Sequence, residues 1–173
     1  STRAREYLLE RVQETRSETE ALYQAGAALS EASTYESVLG VLLTHSVLGR
    51  DPRNAALQLF DRAWTEEERP EILELVAYWA EEPEGSVRRR YRVAKFPAAL
   101  QRIQEESALF IEDLETDTAL DRRARALFRR AGTRSVVVVP LIVSGQGIGL
   151  LYAGYAAPQV FSEAERRRLM TRA

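Results

Sequence analysis

The chain contains no cysteine. That excludes disulfides, thiolate metal sites, cysteine nucleophiles, redox thiols and thioether-linked chromophores together. Histidine occurs once, as His45. A histidine-rich metal site is therefore excluded, and a Ser-His-Asp triad would have to be built on that one residue. No run of 18 apolar residues is present, so the sequence offers no transmembrane helix. Residues 1–6 are mostly polar and lead into no apolar stretch, so no signal peptide is expected. Lysine also occurs only once, as Lys95, beside 23 arginines. This reads as a compositional habit before it reads as function. The net charge of −2 argues against a general nucleic-acid binder.

What remains is ordinary for a globular chain. Its 173 residues, 45% hydrophobic and 29% charged, amount to about one domain. Apolar or small residues recur at Leu8, Val12, Thr15, Thr19, Leu22, Gly26 and Leu29 in steps of four and three. That is a heptad, and it predicts a short parallel coiled coil with a second copy of the chain. Thr34 caps a second helix, whose apolar stripe runs through Val38, Leu39, Val41, Leu42 and His45 to Leu48 before Gly49, Asp51 and Pro52 stop it.

From residue 54 the period changes to two. Strands are predicted at Ala55–Asp61, Ile72–Ala80 and Val87–Val93, the second against a helical alternative. Pro97 opens a short helix to Glu106, and Leu109–Ile111 is a short strand. A helix over Thr118–Ala131 ends at Gly132. Ser135–Val143 and Ile148–Tyr155 form a hairpin about the turn Ser144–Gln146, and Ser162 caps a last helix. With helices at both ends and no initiator Met, the expectation is an internal module entered and left by helices.

Several of these segments, taken in order, resemble a known family. They are Leu109-Phe110-Ile111-Glu112-Asp113-Leu114, Arg125–Gly132, Ser135–Leu141, Gly147–Tyr152 and Phe161–Glu165, with Glu20–Ser30 as a first helix. Together they resemble a GAF domain, the small-molecule-sensing module of signalling proteins such as sensor histidine kinases, over residues 17–173. Residues 1–16 would be a coiled-coil-type leading helix. The resemblance implies an α+β fold of α/β/α layers. A mostly antiparallel sheet of about five to six strands would carry the N- and C-terminal helices on one face, with the dimer contacts. A pocket would lie under short helices and loops on the other. It also implies a non-catalytic, cytoplasmic sensory domain of a multidomain two-component protein, without nucleic-acid or membrane contact by this segment. A ligand-free dimerisation spacer is the alternative. No cofactor is expected. Family members that attach a bilin through cysteine, or reduce methionine sulfoxide with cysteines, are no guide for a chain without it. The Asn-Lys…Phe…Asp-Glu signature of cyclic-nucleotide binders is absent too.

For the pocket, the segments that surround the family's cavity single out Tyr91, Phe110 and Tyr152. Arg125 or Arg129 is expected near the mouth, where a guanidinium would select carboxylate or phosphate, with Asp113 or Asp117 as its resting partner. The arginine run Arg88–Arg90 and Arg92, and the cluster Arg122, Arg123, Arg125, Arg129, Arg130 and Arg134, read first as solvated faces and second as an anion clamp. His45 reads as a core or interface histidine. Asp113, Glu115 and Asp117 match no metal loop and suit helix caps. Gly145, Gly147 and Gly149 read as turn glycines, since no helix follows them.

Overall fold

The longest strand, β1 (Asn54–Trp64), runs where the period-two pattern begins and lies at the centre of the molecule. In this computed structural model the residues described are 2–6, 8, 34–44, 50–82 and 88–170. The remaining elements are α1 (Tyr35–Thr44), β2 (Ile72–Ala80), β3 (Arg90–Arg92), a 3-10 turn (Val93–Lys95), α2 (Pro97–Glu106), β4 (Leu109–Ile111), α3 (Arg122–Arg130), β5 (Ser135–Val143), β6 (Gln146–Tyr155) and α4 (Glu163–Met170). The six strands form one sheet in the order β3-β2-β1-β6-β5-β4, and every neighbouring pair is antiparallel. The expected α+β fold is the one observed.

The signals that built the elements are visible in their ends. Thr34 Oγ1 accepts the Ser37 amide at 3.1 Å at the start of α1. At α4, Ser162 Oγ accepts the Glu165 amide and Glu165 Oε1 accepts the Ser162 amide, a reciprocal capping box. Past α3, Gly132 adopts φ +74°, its amide bonding Arg129 O and the Thr133 amide bonding Phe128 O, a Schellman termination. The β5–β6 hairpin closes through Ser144 and Gly145, both at positive φ, as its two-residue turn requires. Gly147 and Gly149 are strand residues rather than turn residues.

Two elements are shorter than expected. α3 starts at Arg122, not Thr118. Asp113 Oδ1 accepts the Glu115 amide and Asp117 Oδ1 the Ala119 amide, and these local turns occupy the backbone that would have begun the helix. β3 is only Arg90–Arg92, because the chain tightens into the 3-10 turn at Val93. α1 is described to Thr44. Val87, His45 and the continuation of that helix to Leu48 lie outside the described residues, as does the heptad beyond Leu8.

Alternation divides the core between two faces. On one, α1 buries Val38 and Leu39 against Ala55, Leu57, Ala77 and Leu141, and Leu8 buries there too. Farther along the same face Phe110, Val137 and Tyr155 pack with Phe161, at the start of α4. On the other face α2 and α3 cover Ala56, Leu73, Leu75, Val136, Val138 and Leu150. No helix among the described residues is long and apolar enough to cross a membrane.

The loop that leaves β4 passes between these layers at the sheet edge. Glu112 O accepts the Gln159 amide, and its carboxylate accepts the Phe161 amide and meets Arg166 at 3.4 Å. Two residues on, the Leu114 carbonyl takes a hydrogen bond from Arg125 in α3. Asp117 pairs with Arg102 in α2 at 3.0 Å.

Candidate ligand-binding site

A cavity of about 460 Å³ lies between the sheet and the two helices α2 and α3. Its floor follows from strand register. Ala56 in β1 faces Tyr78 of β2 on one side and Tyr152 of β6 on the other. A methyl group between two tyrosines leaves the space that a larger residue would fill. One pleat along, Gln58 sits between Leu75 and Leu150. The register of β1 against β2 slips between Leu57 and Gln58, so that Val76 and Ala77 both belong to the opposite face. This bulge shifts the phase of alternation and turns Tyr78 toward the cavity together with Leu73 and Leu75.

The roof comes from Ala99, Leu100 and Ile103 of α2 and Ala124, Leu127 and Phe128 of α3. Phe128 stacks on Tyr152 with ring centroids 5.7 Å apart and planes 9° from parallel. Tyr91 and Phe96 close one end edge to face at 6.1 Å. The two roof helices are tied together at their starts. Pro97 supplies no N–H, and Phe96 makes no side-chain cap. The carboxylate of Asp121 instead accepts the Ala98 and Ala99 amides.

The polar groups of the cavity fall into two kinds. The Tyr152 hydroxyl donates to Asn54 Oδ1 at 2.9 Å, and Asn54 Nδ2 donates to Ala131 O at 3.2 Å. Burial pushes the Tyr152 hydroxyl far above the usual tyrosine range, and burial raises Tyr91 as well. A Cβ at Gly154 would collide with Tyr152 Oη, Asn54 Oδ1 and Thr133 Cγ2, so only glycine leaves room for this network. The Gln58 amide, in contrast, has no side-chain hydrogen bond to any described residue. Arg88 and Arg130 line the cavity with their side chains exposed.

A family model for the GAF domain matches residues 66–173. The chain belongs to the GAF domain family. Its fold is that of the phycocyanobilin-bound GAF domain of a cyanobacterial phytochrome, at TM-score 0.63 and 16% identity, over 88% of this chain and 87% of that one. It also resembles the GAF domain of an Acinetobacter phosphoenolpyruvate-protein phosphotransferase, at TM-score 0.56 and 16% identity over 96% and 86% of the two chains. The GAF domain/HD domain protein of Geobacter sulfurreducens matches at 0.51 and 21% identity over 78% and 81%. At these identities the likeness is one of fold. No curated protein matches the sequence.

Within this GAF domain the residues singled out from sequence separate. Tyr91 and Tyr152 line the cavity; Phe110 does not. Phe110 is the middle residue of a three-residue strand whose other two side chains, Leu109 and Ile111, take the cavity face. It packs on the opposite face against Phe161, centroids 5.4 Å apart, beneath the Arg166 guanidinium. Arg125 turns back to donate to the Leu114 and Asp117 carbonyls. Arg129 points to solvent. Asp113 pairs with Arg134 at 3.1 Å instead of an arginine of α3. The Glu115 amide, with Arg134, holds the Asp113 carboxyl below its ordinary range. The cavity arginines are Arg88 and Arg130, one from each basic cluster noted in the sequence. Asn54 and Gln58 carried no sequence signal beyond their place in β1. Among the described residues no group of three or more His, Cys, Asp or Glu side chains could hold a metal ion.

Proposed function

We propose that this GAF domain is a non-catalytic sensory module of a larger signalling protein. It binds a small organic molecule in the cavity under α2 and α3. The signal passes through terminal helices that pair in a homodimer to an attached output domain. In this reading residues 1–16 are the coiled-coil lead-in, residues 17–173 are the sensory domain, and the protein acts in the cytoplasm.

The observation that carries the reading is the open floor over Ala56. A cavity of about 460 Å³, largely apolar with few polar groups, falls within the roughly 300–1,000 Å³ of small-molecule sites. The similar phytochrome GAF domain holds phycocyanobilin, so the fold is one that can carry a small organic ligand. A cysteine-linked bilin does not suit this chain.

The test is a thermal-shift screen of aromatic and medium-chain organic compounds against the wild type and Ala56→Leu. A compound at 100 times its Kd adds about 2.7 kcal/mol of stability to the wild type. Ala56→Leu fills the floor and abolishes that gain. A screen without a single shift would leave the fold as a dimerisation spacer. Sedimentation checks the pairing, and a monomer at high micromolar concentration would count against the relay.

A further inference from the structure

We infer that the ligand is an organic anion, with an apolar, flat body under α2 and α3 and a carboxylate or phosphate at the mouth beside Arg88 and Arg130. The inference rests on the reading that the cavity holds a ligand.

Charge inventory is the first argument. Among the described residues the cavity lining includes two arginines and no acidic residue. Three other arginines around α2 and α3 have protein partners. Arg102 meets Asp117 at 3.0 Å, Arg134 meets Asp113 at 3.1 Å, and Arg125 donates to two backbone carbonyls. Asp121 is spent on the α2 amides. The Arg130 side chain has no hydrogen bond or ion pair among the described residues. Arg88 lies 5.7 Å over the Tyr91 ring, which orients a guanidinium without neutralising it. Both side chains reach water, so leaving them uncompensated in the empty site costs little. A bound anion would meet two planar forks of donors.

The shape of the interior supplies the second argument. The parallel Phe128–Tyr152 stack and the leucines of floor and roof favour a flat apolar body. Gln58, with no side-chain hydrogen bond among the described residues and seated between Leu75 and Leu150, is a point midway where that body gains by carrying a hydrogen-bonding atom.

The experiment uses one aromatic body in three forms: naphthylacetate, naphthyl phosphate and naphthylacetamide. Binding is measured by calorimetry at low and at high salt. The expected result is an anion bound about tenfold more tightly than the amide, equivalent to 1.4 kcal/mol. That preference shrinks with salt and is lost in Arg88→Gln/Arg130→Gln, whose circular dichroism matches the wild type. Comparing acetate with phosphate identifies the preferred head group. Equal affinity for amide and anions, or an anion preference that survives in the double variant, would overturn the inference and leave the cavity reading standing. If none of the three binds and the broader screen is also silent, both fall together.

Discussion

Asp121 caps a helix to which it does not belong: its Oδ2 accepts the Ala99 amide at 2.8 Å. Its Oδ1 takes the Ala98 amide at 3.1 Å, while its own carbonyl accepts the Arg125 amide inside α3. One residue thus fixes the starts of both roof helices. Asp121→Ala should cost about 1 kcal/mol, the usual value of a lost helix cap. Urea denaturation would show a lower midpoint at unchanged slope. Asp121→Asn, which keeps one acceptor oxygen, should recover part of the loss. Ligand affinity should fall with stability, because both helices line the site.

Tyr152→Phe removes the donor to Asn54 Oδ1 and leaves that buried oxygen unpaired. The expected cost is about 1–3 kcal/mol. The pH dependence has a definite sign. Burial holds the folded hydroxyl above the ordinary tyrosine value, so the folded protein keeps a proton that the unfolded chain releases. The contribution is fully present below about pH 10 and is lost as pH rises beyond it toward the folded value. Alkaline melts should therefore fall more steeply for the wild type than for the variant. Tyr91 and Tyr155, also raised by burial, leave a residual slope in both.

At the acid end, Asp61 and Asp113 act in the opposite direction. Burial pushes Asp61 upward, but the Ile72 and Glu71 amides and Arg62 outweigh it and hold the carboxyl low. Asp113 is held low by the Glu115 amide and then by Arg134. A depressed carboxyl contributes stability above its unfolded value of about 3.9, and that contribution disappears as pH falls through the folded value. Asp61→Asn/Asp113→Asn should flatten the loss of melting temperature below about pH 4. An acid limb as steep as that of the wild type would count against this assignment.

Gln58→Leu tests whether the cavity is built for a ligand rather than for stability. The side-chain amide has no hydrogen-bond partner among the described residues and sits between two leucines, so its replacement should be neutral or stabilising by up to about 1 kcal/mol. The same change should weaken compounds that hydrogen-bond at mid-body and spare those that do not. Marked destabilisation of the ligand-free protein would give Gln58 a structural role instead.

Much of the scaffold is legible in the sequence because its signals are local. The β-formers of Ile72–Ala80 overrule the helical alternative, Thr34 and Ser162 mark helix starts, and Gly132 marks an end. The site is less legible because side-chain facing depends on phase. Phe110 was expected in the cavity, yet a three-residue strand reveals its alternation but not which face each residue takes. Tyr78 reaches the cavity only through a bulge that no residue type announces. Arg125 is bound to carbonyls of an irregular loop, acceptors with no signature in the sequence. Arg130, five positions on, is left to line the cavity.

Residues 112–117 couple the helices on the two faces of the sheet. Their bonds reach α2 through Asp117, α3 through the Leu114 and Asp117 carbonyls, and the start of α4 through Glu112. This short stretch rounds the sheet at its three-residue edge strand, so the two outer layers are strapped to each other without a contact through the sheet. A tilt of either roof helix must stretch that strap or drag it, and its far end is fastened to Phe161, where the last helix takes its bearing.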